Sequence, residues 1–182
     1  MKNKFKWSMV SIAIVASALT VVSTLKQNAE EYELKKSKAE DPNNYEIDHF
    51  KQVEKLTEEE MEEQTSEIGG VQNELGISSN SAQDEVIEVM HHMTHQKVIS
   101  EDKWGAVEMN SENINAVYEI VKDSDFMLKD DLLRIVTGWK EGSFDNVAQD
   151  HNYFWKYQDG TVGRATGILN SNEEAEFVKN NF

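Results

Sequence analysis

The chain has 182 residues, no cysteine, a single proline and a formal net charge of −16. The lack of cysteine excludes disulfides, thiolate metal sites and cysteine nucleophiles. The acidic balance opposes binding to nucleic acid, and to anionic lipid beyond the lysine-rich first residues; a divalent cation or a basic partner suits it better, with plain solubility as the simplest account.

The first element is an uncharged apolar run, Trp7 to Leu25, preceded by Lys2, Lys4 and Lys6 and followed by Lys26. As a helix it spans about 28 Å, close to the hydrocarbon thickness of a bilayer. Residues 1–25 are therefore predicted to form a single-pass membrane anchor. The lysines at its head place the N-terminus inside and the C-terminal domain outside the cell. A cleaved signal peptide, giving a secreted protein, is the alternative. The run is longer than a usual signal core, and its one small-x-small site, Ala16-Ser17-Ala18, lies inside it.

Residues 26–80 are predicted to be an acidic linker or stalk. Glu58-Glu59-Glu60-Met61-Glu62-Glu63 is a block of like charge, and Pro42 falls in the same region. Such segments bury too little apolar surface to offset the entropy of ordering them. Ile47, Phe50, Val53 and Leu56 recur near helical spacing, so a transient or docked helix is expected around 45–65. Gly69-Gly70, Gly76 and Ser78-Ser79-Asn80-Ser81 form a joint.

Residues 81–182 hold most of the aromatics and no proline, and are predicted to be the folded domain. The expected fold is mainly α, with about four to five helices and at most one short β-hairpin. Ser81-Ala82-Gln83-Asp84 resembles a capping box ahead of the stripe Val86, Val89, Met90 and Met93. Ser111 is a candidate cap for a helix carrying Ile114, Val117, Tyr118 and Val121. A third helix is expected after Ser124 or Asp125, with Leu128, Leu132, Ile135, Val136 and Trp139 on one face and Gly142 as its stop. The stretch 144–157 fits a helix through Val147, His151 and Phe154. It also fits a hairpin running from Tyr153 through Asp159-Gly160 to Val162, and the helix is preferred. Ser171-Asn172-Glu173-Glu174 is a capping box for a last helix bearing Phe177.

Chemistry concentrates on the first domain helix. On a helical wheel Asp84, Glu88, His91 and His95 line the face opposite the apolar stripe, with His92 beside them. Glu88–His91 is an i, i+3 pair and His91–His95 an i, i+4 pair, spacings at which two side chains reach one metal ion. The plain account is a solvated polar face with acids near the helix N-terminus. The sharper one is a metal site of His91, His95 and Glu88, with His151 supplying a further nitrogen from another helix and Asp150 near it. Neither the His-Glu-x-x-His pattern nor a second Glu-x-x-His is present. Gly160-Thr161-Val162-Gly163-Arg164-Ala165-Thr166-Gly167 lacks the Gly-Lys-Ser/Thr ending of a phosphate loop; its glycines suit tight turns or packing beneath aromatic rings. Arg164 is a candidate for a buried ion pair or a carboxylate contact. No nucleophile elbow or acid pair argues for hydrolysis.

Two stretches carry a resemblance. Val89-Met90-His91-His92-Met93-Thr94-His95-Gln96-Lys97-Val98 with Lys103-Trp104-Gly105 is one. Asp150-His151-Asn152-Tyr153-Phe154-Trp155-Lys156 with Gly160–Gly167 is the other. Together they resemble an uncharacterised domain family of small membrane-tethered proteins from Bacillus-like Gram-positive bacteria. The resemblance covers roughly the last 100 residues and implies no established activity. The sequence favours a non-enzymatic extracytoplasmic domain, tethered through residues 7–25, that binds an envelope or protein partner. A metal-binding or metal-dependent domain is the alternative. Proximity of His151 to His91 and His95 discriminates the two.

Overall fold

The computed structural model describes residues 56–182. The apolar run 7–25 and the stalk up to residue 55 lie outside the described residues. Among the described residues no helix is long and apolar enough to cross a membrane.

The described chain is mainly helical, with six helices and four short strands. These are α1 (Glu58–Thr65), β1 (Val71–Gln72), α2 (Gln83–Thr94), β2 (Val98–Ser100), β3 (Ala106–Val107), α3 (Ser111–Asp123), α4 (Lys129–Lys140), α5 (Val147–Tyr157), β4 (Ala165–Ile168) and α6 (Ser171–Asn181). Five helices fall within 81–182, as the periodicity predicts.

The strands do not form the hairpin considered for 153–162. Helix α5 runs to Tyr157, and Asp159 then turns the chain at φ 55°. The strands pair instead across long stretches of sequence. β2 runs antiparallel to β4, with Val98 opposite Ile168 and an irregularity after Ile99. β1 runs parallel to β3, with Val71 opposite Ala106.

Three helix starts differ by one residue from the sequence expectation. Helix α2 is capped at Ala82, where the Glu85 carboxylate accepts from the Ala82 N–H at 2.7 Å. Ser81 instead accepts from Ser78 N–H within the preceding turn. Asn110, not Ser111, caps α3 by accepting from Asn113 N–H. Asn170, not Ser171, caps α6, with Glu173 closing the box on the Asn170 N–H at 2.7 Å. An Asn carboxamide oxygen reaches the free first-turn N–H groups as well as a serine hydroxyl does. Helix α4 starts later than expected, at Lys129, because Ser124 is taken up in ending α3. Gly142 follows the α4 cap at φ 78°, as expected of a stop.

The core is built from matched apolar faces. Ile114, Val117 and Val121 of α3 are buried, as are Leu132, Ile135, Val136 and Trp139 of α4, and the two helices pack together. Lys140 of α4 also lies 4.1 Å over the Tyr118 ring of α3. Fully burying such side chains is worth about 1.5–3 kcal/mol each. Trp139 meets Phe154 of α5 edge-on at 6.2 Å, and its indole N–H donates to Asp150 at 2.9 Å. That bond satisfies a buried donor and turns Asp150 toward α4. Burial pushes the Asp150 carboxyl up to about 6.

Helix α1 belongs to this body. It packs on α6, where Asn180 donates to Thr65 O at 2.9 Å and Asn181 accepts from Ile68 N–H at 2.9 Å. The Gln64 side chain is buried and pairs with both backbone groups of Ser100, accepting from N–H and donating to the carbonyl at 2.9 Å each. Its amide mimics one more rung of strand on the β2 edge. The Lys103 ammonium donates to the Gln64 carbonyl at 3.1 Å.

Candidate metal centre

Helix α2 is buried nearly all round its C-terminal half. Val86, Ile87, Met90 and Met93 are inaccessible; α5 packs along the helix and β3 crosses it. The histidines therefore do not form the solvated row that the wheel suggested. His95, the C-cap residue, is 4 % exposed and His151, in α5, is 0 % exposed; His91 is half-buried. Glu88 and Asp84 remain exposed and do not join them.

His91, His95 and His151 converge. Each offers one ring nitrogen, and the three nitrogens lie within 4.8 Å of one another. His91 Nε2 and His151 Nε2 are 3.1 Å apart. Tetrahedral zinc with Zn–N of about 2.0–2.1 Å separates its nitrogens by about 3.3 Å, so small ring rotations complete the fit.

The other ring nitrogens decide which atoms face inward. His91 Nδ1 meets Gln158 Oε1 at 2.6 Å, His95 Nδ1 meets the Gly105 carbonyl at 2.5 Å, and His151 Nδ1 meets Asn152 Oδ1 at 3.2 Å. Gly105 offers a backbone oxygen, which can only accept. Asn152 is held in one orientation by Ala165, accepting from its N–H at 2.8 Å and donating to its carbonyl at 3.0 Å. The fixed oxygens behind His95 and His151 require the Nδ1–H tautomer, and the Gln158 oxygen favours it for His91, which leaves a bare lone pair on each Nε2. Metal-ligating histidines are commonly oriented in this way by outer-shell oxygens.

Protonation is a poor way to relieve the opposed lone pairs. Burial, and then the charge of His151, push His91 down to about 3. Burial, with a smaller effect of Lys103, pushes His151 down to about 4. His95 lies well below the ordinary histidine value, chiefly from burial and then from the other two rings. Lys103 opposes any cation here, but burial brings its own pKa down to about 7, so it sheds much of its charge near neutrality. The C-terminal end of α2, where His91 and His95 sit, contributes negative partial charge.

His92 flanks the cluster, 5.7 Å from the His95 ring. Its ring presses on Gly105, where a Cβ would lie 2.6 Å from the His92 Cε1. Gly105 also has φ 81°, so two independent constraints favour glycine there.

Residues 90–179 match a family of unknown function (DUF6241). The DUF6241 region contains all three histidines together with Gly105, Asn152 and Gln158, whereas α1 precedes it. No curated protein and no solved structure matches the chain.

The spacing of His91 and His95 and the candidacy of His151 are readable in the sequence. Gln158, Gly105 and Asn152 are not, since a carbonyl oxygen behind an imidazole leaves no local pattern. Two of them, Gly105 and Asn152, do fall in the stretches that carry the family resemblance. Gly160 packs beneath Trp155, with a Cβ position 2.4 Å from the indole nitrogen, in keeping with the ring-packing account of that glycine-rich stretch. Arg164 is exposed rather than buried.

Proposed function

We propose that this domain binds one divalent transition-metal ion through Nε2 of His91, His95 and His151. The observation that carries the proposal is an oxygen behind each Nδ1, with one ring nitrogen of each histidine within 4.8 Å of the others. Three imidazoles suit zinc among the common ions, with copper, nickel and iron as chemical competitors. The exported, membrane-tethered setting in a Gram-positive envelope is part of the same proposal, supported by the run 7–25 with lysines at its head.

The test is a zinc titration of the purified chain, followed by urea unfolding. At 100 times its dissociation constant, zinc should raise stability by about 2.7 kcal/mol. His95→Ala and His151→Ala should each abolish that gain. Absence of saturable stabilisation in the parent chain would overturn the proposal. The topology is tested separately, by protease treatment of intact cells; a protected domain would refute the outward placement.

A further inference from the structure

Three neutral imidazoles leave a divalent ion with its full charge and at least one open coordination position. Among the described residues no carboxylate completes the set. The three histidines line a pocket of about 240 Å³, together with His92, Asp102, Trp104, Trp155 and the chain around Gly160–Gly163. A water molecule occupies about 30 Å³ of liquid, so the pocket has room for a ring-sized ligand.

The walls restrict what that ligand is. No lysine or arginine lines the pocket, and Asp102 is its one acid. An anionic oxygen donor there is matched by the charge of the metal alone, with no help from the walls. His92 also lines the pocket, and its Nδ1 is buried without a hydrogen-bond partner. Buried orphan N–H groups are rarer than orphan acceptors, which favours placing the ring proton on Nε2, where it can donate. Trp104 is 72 % exposed, yet its ring is set firmly on the Gly69–Gly70 backbone; a Cβ at Gly69 would lie 2.1 Å from the indole Cζ3. Trp155, which lines the same pocket, is fixed by its N–H donating to Val162 O at 2.7 Å. Immobilised aromatic faces at a pocket are platforms for a flat apolar group.

We propose that the metal's open position takes a monocarboxylate ligand with a flat apolar body. One carboxylate oxygen binds the ion, the other accepts from His92, and the body lies against Trp104. The inference rests on the metal-binding reading and adds the class of ligand.

The experiment uses the full chain loaded with cobalt(II), whose visible bands report its coordination, titrated with benzoate and with acetate. Both should shift the bands saturably, benzoate at lower concentration. Trp104→Ala should weaken benzoate about fivefold to tenfold and leave acetate unchanged. Because Trp104 is largely exposed, the variant keeps the core intact. Cobalt bands that neither acid moves, or a benzoate preference untouched by Trp104→Ala, would overturn this inference alone. Failure of cobalt to bind through the three histidines would overturn the metal reading and this inference with it.

Discussion

Gln158 isolates the orienting role of the outer oxygens. It is exposed, and its Oε1 meets His91 Nδ1 at 2.6 Å. Gln158→Ala should change stability by less than about 0.5 kcal/mol, as for an ordinary surface substitution. It should weaken zinc about 10–100-fold, the usual effect of losing such a partner. Calorimetric titration beside a urea melt separates the two; equal zinc affinity would show that His91 needs no orientation. Gly105→Ala should fail on both counts. It combines positive φ with a clash against His92, for a loss of about 1–3 kcal/mol, and it disturbs the carbonyl that holds His95.

Acid should unfold the metal-free protein through the same imidazoles. In the native state His91 and His151 are pushed down to about 3 and about 4. The unfolded chain takes up protons at an ordinary value of about 6.5, so between that pH and about 4 it binds more of them than the native state. The stability these residues contribute is complete above about 6.5 and is lost as the pH falls, by up to about 1.4 kcal/mol per pH unit for each imidazole held neutral. Asp150 runs the other way: its raised pKa keeps a proton on the native state from about 4 to 6, which favours the fold in acid. Two imidazoles outweigh one carboxyl. Urea midpoints in chelator at pH 7.5 and pH 5 should therefore show a large drop, and His151→Phe should flatten it.

At the scale of elements, α1 contributes to the core through one buried amide. Gln64→Ala strands the N–H and carbonyl of Ser100, each of which costs about 1–3 kcal/mol unpaired. A loss of about 2–4 kcal/mol is expected by urea unfolding, and a change below about 0.5 kcal/mol would mean that α1 is loosely held. The elements differ in how readable they are. Ile114, Val117 and Val121, or Leu132, Ile135 and Trp139, announce a helix because each element contains its own period. β1 and β3 hold two residues each and exist only through partners some 35 positions away, so no local period marks them. A transient or docked helix is expected around 45–65, but its partners are not: Gln64 and Thr65 end an acidic block that reads as solvated. The wheel put His91 and His95 on one side of the helix. It had no means of showing that α5 would cover that side.

At the scale of the whole molecule, a chain of contacts runs from α1 to the metal centre. Gln64 holds Ser100, Lys103 holds Gln64, Gly69 O accepts from Gly105 N–H at 2.8 Å, and Gly105 O orients His95. The links run from α1 and the segment just after it, through the end of β2 and the loop that follows, to the end of α2. Binding equilibria joined in this way are reciprocal: whatever factor α1 docking adds to zinc affinity, zinc must return to α1 docking. Amide hydrogen exchange can read that factor directly. The Ile68 and Gly105 amides should slow on zinc addition by the same ratio by which Gln64→Ala weakens zinc. Helix α1 would then report occupancy of a site that it never touches.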